Sequence, residues 1–401
     1  MLVLSLQDKK KCFGCTACFN ICPQNAVHLI MDAEGFKYPK VNYEKCVKCG
    51  LCIKVCPIKN KLDMHEPLGI YAAKNISDSI RMKSSSGGVF TALAEYVLLL
   101  EGIIYGAAFD DKFCVVHKRI DNVYDLGSLR GSKYVQSDLN DTFRFIKKDL
   151  CSNKMVLFSG TPCQCVGLKK YLNLEYDNLI ILDLVCYGVP SPKIFSEYIE
   201  YIQRRHNSKV KEYVFRDKSL GWREGKSKIK LDSNKNIHFL ETHIFDELFW
   251  SNLILRPACY DCRFTNTKRI GDITLGDFWG IEVVDRNFVD EKGVSLCFVN
   301  NTKGEKIFGI IKNKLICKKV FIKDAVKKQD RLKNSVEEPE NRSVFWIEYS
   351  RNSFEYIVRR YTHSNKLEKV KFNIKNIIKN TLGVSNVLYF KKIFKRIKDK
   401  I

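Results

Sequence analysis

The apolar positions along this chain change period several times, and each change marks an element. Val89, Phe90, Leu93, Tyr96, Val97 and Leu100 recur at helical spacing directly behind Ser84-Ser85-Ser86-Gly87-Gly88, so a helix is expected from about residue 89. After Glu101-Gly102, Ile103 to Phe109 reads as a strand. Met155 to Phe158 and Leu179 to Val185 are short unbroken apolar runs, the pattern of strands buried on both faces. The first ends in Ser159-Gly160-Thr161-Pro162-Cys163-Gln164 and the second in Cys186-Tyr187-Gly188-Val189-Pro190-Ser191-Pro192. A helix from about Lys193 to Arg205 would place Ile194, Phe195, Tyr198, Ile199 and Ile202 on one face. Strands alternating with helices predict a largely parallel α/β core, whose ligands sit at the C-terminal strand edge. Val210 to Phe215 and Lys226 to Leu231, with Asp217, Gly221 and Trp222 between them, read as an antiparallel insertion. Residues 294–325 supply one or two further strands and a helix. At the front, Ala26 to Ile30 and Lys37 to Val41 are short strands.

Length and composition divide this pattern. With 401 residues the chain exceeds one core, and 45% hydrophobic content is that of a folded protein. Four parts are expected: a small domain over 1–62, a linker over 63–83 signalled by Pro67 and Gly69, the α/β domain over 84–330, and a helical basic tail over 331–401. The net charge of +23 is uneven, since residues 359–401 hold 13 Lys and Arg against Glu368 and Asp399, a net of +11. Val387, Phe390, Ile393, Phe394, Ile397 and Ile401 fall on one helical face of that tail, among lysines. Such a helix suits either an anionic membrane surface or packing on its own domain. Nucleic acid is not expected, because no aromatic platform accompanies the charge. Apolar runs such as Ile103 to Phe109 fall short of the roughly 20 residues of a bilayer span. Leu2 to Leu6 is too short for a signal peptide, so a reducing cytoplasmic compartment is expected, with peripheral contact to the inner membrane face through the tail.

Seventeen cysteines change the picture most. Cys12-Phe-Gly-Cys15-Thr-Ala-Cys18 precedes Cys22-Pro23, and Cys46-Val-Lys-Cys49-Gly-Leu-Cys52 precedes Cys56-Pro57. Both read C-x2-C-x2-C-x3-C-P, the run that wraps [4Fe–4S] cubes in two-cluster ferredoxins, where the fourth cysteine serves the other cluster. One cluster is therefore expected on Cys12, Cys15, Cys18 and Cys56, and another on Cys46, Cys49, Cys52 and Cys22, in an α+β ferredoxin-like domain. Zinc sites use paired C-x2-C units set further apart. Cys163 and Cys186 each follow a predicted parallel strand, and Cys259-Tyr-Asp-Cys262 can close against them. These four suit a third cluster, a zinc ion or no ligand at all. Cys165 is a rival ligand, while Cys114, Cys151, Cys297 and Cys317 belong to no motif. The Ser84 to Gly88 turn is either a phosphate seat at a helix start or a plain helix cap. No G-x-G-x-x-G follows a strand, so a nicotinamide site of Rossmann type is unsupported.

Ser84-Ser-Ser-Gly-Gly-Val-Phe-Thr91, Leu129-Arg-Gly-Ser-Lys-Tyr134, Ser159-Gly-Thr-Pro-Cys-Gln164, Cys186-Tyr-Gly-Val-Pro-Ser191, Cys259-Tyr-Asp-Cys262 and Gly276-Asp-Phe-Trp-Gly280 occur in this order. Together they make the chain resemble the coenzyme F420 hydrogenase/dehydrogenase beta-subunit family, over roughly residues 8 to 285. The resemblance implies an α/β flavin-binding domain carrying FAD, with Ser85, Ser86, Gly87, Gly88, Gly131, Lys133, Tyr134, Ser159, Gly160, Thr161 and Gln164 around the cofactor. It also favours the third cluster. Arg130 and Lys133 are the candidates for a catalytic cation near the flavin ring. Implied partners are coenzyme F420 or another hydride carrier, and ferredoxin or a redox enzyme complex. Two alternatives stand beside this: a ferredoxin-dependent reductase in surface polysaccharide biosynthesis, and an electron-transfer subunit with no substrate of its own.

Overall fold

The computed structural model describes residues 8–60, 64–233, 237 and 239–362. At the front, β1 (Val27–Met31) and β2 (Lys37–Val41) form an antiparallel pair, with Val27 opposite Val41. Two short helices, Ala17–Ile21 and Leu51–Lys54, each begin beside a cysteine run and pack on one another.

The main sheet contains β3 (Gly69–Asn75), β4 (Ile103–Phe109), β5 (Val115–Ile120), β6 (Val156–Gly160), β7 (Leu179–Leu184), β10 (Ile273–Asp277), β11 (Ser295–Val299) and β12 (Leu315–Lys319). Its order is β12-β3-β11-β10-β7-β6-β4-β5. Only β4–β6, β6–β7 and β7–β10 pair in parallel. The sheet is thus mixed rather than largely parallel. The reason lies after β10: Asp277 faces Ser295, so β11 turns back from the edge where β10 ended, and the short helix Ile281–Val284 between them does not carry the chain across the sheet.

β3 corrects the expected linker. Gly69 to Asn75 lies between β11 and β12 inside the sheet, and Ile70, Ala72 and Ala73 are buried. Its two alanines and Lys74 lack the bulky β-branched signature, and Gly69 reads as a breaker, which is why the sequence hides it. The register puts the C-terminal ends of β3, β4, β6, β7 and β10 and the start of β11 on one edge.

The antiparallel insertion, β8 (Val210–Asp217) with β9 (Lys226–Leu231), packs its aromatic face against helices Pro192–His206 and Phe239–Trp250. Phe195, Tyr198, Tyr213, Phe215 and Phe245 interlock there at ring separations of 4.6 to 6.3 Å. Helices Arg342–Arg351 and Phe354–Tyr361 join the same core through Phe345, Trp346, Phe354 and Ile357. Residues 342–361 are therefore helical as expected but form part of a core, not a tail. The amphipathic stretch 387–401 lies outside the described residues. Among the described residues, no helix is long and apolar enough to cross a membrane.

Candidate functional site

The two cysteine runs fold into loops that face each other. Cys12, Cys15, Cys18 and Cys56 line one cavity of about 470 Å³, and Cys22, Cys46, Cys49 and Cys52 line a second, smaller one. The structure thereby brings together the two sets that the crossed spacing groups. The larger cavity continues beyond the thiols towards the Lys37–Asp138 ion pair and Cys114. Among the described residues no three His, Cys, Asp or Glu converge tightly enough for a single metal ion. Gly14 shows why the first loop needs its sequence. Its φ is +71°, and a Cβ there would lie 2.7 Å from both the Arg256 guanidinium and the Gln136 amide.

The small domain is seated on the sheet edge by groups from distant segments. Arg144 donates to the carbonyls of Asn20, Phe19 and Cys22 and to Asn25 Oδ1. Helix Ala17–Ile21 lies on helix Pro162–Leu172, with Phe13 edge-on to Phe264 at 5.2 Å. Arg342 makes a two-pronged ion pair with Glu34.

At that edge Cys163, Cys186, Cys259 and Cys262 come from three segments into one electrostatic neighbourhood. Burial first, then Cys259, Cys163 and Cys262, raises the Cys186 thiol well above the usual thiol range. Burial pushes Cys259 up to about 12 and Cys262 to about 11. Unligated, these thiols stay protonated; a cationic iron centre would make them thiolates. Local sequence explains the convergence. Thr161 and Gln164 form a capping box that starts the helix on which Cys163 sits, and Thr161 Oγ1 lies 3.1 Å from Cys163 Sγ. Asp183, buried near the end of β7, accepts from the amides of Ile270 and Gly271 and pairs with buried Arg269 at 3.5 Å. This pins the chain after Cys262 beside the strand that precedes Cys186. Cys165 points elsewhere, with its thiol against the carbonyls of Gly160 and Leu182. The Cys163 charge also reaches the first set: it contributes to raising the Cys15 thiol, after burial, Cys12 and Cys56. Gly167 packs on Cys15, where a Cβ would come within 2.7 Å of the Cys15 Cβ.

The glycine turns assigned to the cofactor lie together. Ser85 Oγ accepts from the Ser132 amide at 2.6 Å and is 2.9 Å from its hydroxyl, so the 84–88 and 130–134 turns are joined. The helix Val89–Leu99 begins there with no side-chain cap. Ser86 Oγ donates to the Val294 carbonyl, and Gly87 N to Ser295 Oγ. Gly88 and Gly131 have φ of +83° and +79°, and among the described residues nothing lies within 4 Å of a Cβ built on Gly131. Arg130 Nε donates to Thr91, and Lys133 Nζ to the carbonyls of Ser128 and Arg130. Burial lowers the Lys133 ammonium to about 7. Tyr134 stacks on Phe249 at 5.2 Å, and its hydroxyl accepts from Arg216. The Ser159 carbonyl accepts from His117 Nε2, and Gln164 Nε2 donates to Ser137. The Thr161 and Gln164 side chains are thus committed to the fold, leaving the backbone and the Ser159 hydroxyl as what this turn can offer a ligand.

Several residues of the site escape a sequence reading. Arg216 pairs with Asp277 and lies over Trp279, which stacks on Trp222 at 4.9 Å. Lys218, buried, donates to the carbonyls of Arg81, Ser86 and Lys292, and burial lowers it to about 7. Asp277 and Trp279 stood in a quoted motif without a role. Arg256, three residues before Cys259, carried no signal beyond that proximity.

The two N-terminal cysteine runs, seated against a mixed sheet, define an iron–sulfur electron-transfer protein. Residues 6–64 match the 4Fe-4S dicluster domain family, and residues 153–324 match the family described as the C terminus of the coenzyme F420 hydrogenase/dehydrogenase beta subunit. The likeness read from the motifs is thus shown: a region of the coenzyme F420 hydrogenase/dehydrogenase beta-subunit kind stands behind a dicluster domain. Among solved structures, the chain is similar to one in the xenon-derivatised F420-reducing [NiFe] hydrogenase complex from Methanosarcina barkeri. That match has 16% identity and a TM-score of 0.44, and covers 64% of this chain and 83% of that one. No curated protein matches the chain.

Proposed function

We propose that this chain is an iron–sulfur flavoprotein oxidoreductase. In this reading two [4Fe–4S] clusters sit in the N-terminal domain, a third on Cys163, Cys186, Cys259 and Cys262, and FAD on the joined 84–88 and 130–134 turns. The observation that carries it is continuity. Cys163 stands one turn ahead of Gly167, which packs on Cys15 of the first cavity, and the second cavity is lined by the exposed Cys49. The turns fit a phosphate-bearing cofactor through the uncapped start of helix Val89–Leu99, open space over Gly131, and Arg130 and Lys133 beside them.

When bound, FAD supplies the conversion between hydride and single-electron transfer. The chain's own residues position and protect. Ser85 and Ser132 hold the two turns in register, and Lys218 fixes the carbonyl of Ser86 behind them. Lys133, lowered to about 7, can hold or release a proton at Nζ near neutral pH. The hydride partner is coenzyme F420 or a related carrier, and the one-electron partner is ferredoxin or a redox complex docking near Cys49. The surface-polysaccharide reductase and the pure electron-transfer subunit are separated from this reading by turnover. Anaerobic purification, with iron, sulfide and flavin counted per chain, should give about twelve iron atoms for three cubes and one FAD. A screen of F420, nicotinamide and ferredoxin then follows. Zinc in place of iron, or no flavin after reconstitution, overturns the proposal, and the absence of turnover with any small carrier leaves only the subunit role.

A further inference from the structure

Arg256 is an unusual side chain for its position. It is 1% exposed, yet none of its four hydrogen-bond acceptors is a carboxylate. Nε donates to the Cys12 carbonyl at 2.7 Å, Nη1 to Gln136 Oε1 at 2.8 Å, and Nη2 to the Lys37 carbonyl at 3.0 Å and to Cys12 Sγ at 3.7 Å. The guanidinium lies over the rings of Tyr38 and Phe36, at 4.3 and 5.4 Å from their centroids. An arginine does not shed its proton, so a full positive charge is buried here with only neutral hydrogen-bond partners among the described residues. The same residue is tied to the other thiol set through the backbone, where the Cys259 amide donates to the Arg256 carbonyl at 2.8 Å. Gly14 and Gln136 are shaped to admit it, as the missing Cβ of Gly14 shows.

We propose that Arg256 is a positioning residue shared by the first and third iron–sulfur centres, a fixed cation that raises the reduction potentials of both relative to the second centre. The inference rests on the cluster reading above. A cluster gains negative charge when an electron arrives, so a buried cation and an N–H···S hydrogen bond at Cys12 favour its reduced form. Around the second centre the cations of its own loop, Lys45 and Lys48, face solvent. Electrons entering at Cys49 would therefore settle inward.

The test is an anaerobic redox titration of the full chain followed by electron paramagnetic resonance, for the wild type, Arg256→Lys and Arg256→Met, with iron and sulfide counted in each. Losing a hydrogen-bonded partner outside the ligand shell typically costs tenfold or more in metal affinity or activity, and the same scale is expected of the redox ratio. Arg256→Met should lower the reduced-to-oxidised ratio of the first and third centres about tenfold at a fixed potential, or about 59 mV for one electron. The signal removed by Cys49→Ala, which marks the second centre, should not move, and Arg256→Lys should fall between. Full iron with all potentials unchanged, or an equal shift of the second centre, overturns the proposal and leaves the cluster reading intact. Wild-type protein without iron overturns the cluster reading itself. If Arg256→Met fails to hold iron, Arg256→Gln, which keeps a hydrogen-bond donor but no charge, decides instead, and wild-type potentials in it overturn the inference.

Discussion

Two glycines inside helices give opposite answers to the same substitution. Gly167 lies in helix Pro162–Leu172 and Gly309 in helix Thr302–Ile311. Alanine in a helix interior is worth about 1 kcal/mol over glycine, and that gain applies at both sites. At Gly309 nothing among the described residues lies within 4 Å of a built Cβ, so Gly309→Ala should stabilise by about 1 kcal/mol. At Gly167 the new methyl would come 2.7 Å from the Cys15 Cβ, 3.1 Å from its sulfur and 3.2 Å from its carbonyl. Either the helix or the cysteine loop must shift, at an overpacking cost of about 2 kcal/mol. Gly167→Ala is therefore expected to lose about 1 kcal/mol net. The helix gain cancels between the variants, so their difference of about 2 kcal/mol isolates the contact between the small domain and the sheet. In thermal unfolding of the anaerobic protein this separates the midpoints by roughly 2–3 °C. If the two variants gain equally, Cys15 does not rest on this helix, and the juxtaposition of the first and third cysteine sets fails with it.

Three further outcomes follow from the geometry. Cys22→Ala should erase the same magnetic resonance signal as Cys49→Ala, and Cys56→Ala the same one as Cys12→Ala; pairing Cys22 with Cys12 instead would contradict the crossed cavities. His117, stacked on Phe158 with Nδ1 buried and without a partner among the described residues, is lowered by burial from 6.5 to about 4. The unfolded chain then binds a proton that the folded one refuses between those values. Stability should drop by roughly 1 kcal/mol from pH 7.5 to 5.5, and His117→Gln should flatten this part of the urea-midpoint profile. Arg216→Ala strands the Asp277 carboxylate, which would keep only Trp222 Nε1 among these partners, at a cost of about 3 kcal/mol read as a lower urea midpoint at unchanged slope; a loss below 1 kcal/mol would show the pair to be dispensable.

How far the sequence could be read depends on the range of each signal. The cysteine runs are local and rigid in spacing, so the two fourfold groupings could be written down from residue numbers alone. Apolar runs located β4, β6, β7 and the β8–β9 insertion to within one or two residues. β3 was hidden because its apolar residues are small and its first position is glycine. The reversal of β11 was hidden because strand direction depends on how residues 278–294 turn, and no residue type there encodes it. At the site, the serine and glycine turns were visible, but not that Ser85 would meet Ser132, nor that Thr161 and Gln164 would cap a helix. Arg256, Arg216 and Lys218 were invisible for one reason: a lone cation looks solvated until distant segments close over it.

The clasp between Arg342 and Glu34 joins residues 308 positions apart, and Arg256 reaches Cys12 across 244. The seat of the small domain is therefore among the last surfaces a growing chain can complete, since loops of this length close slowly. During synthesis the first cysteine run leaves the ribosome long before Gln136 and Arg256, which line its cavity, are made. An interval in which iron and sulfide can enter that cavity from outside is thus built into the order of the residues, and the segment carrying Arg256 narrows it.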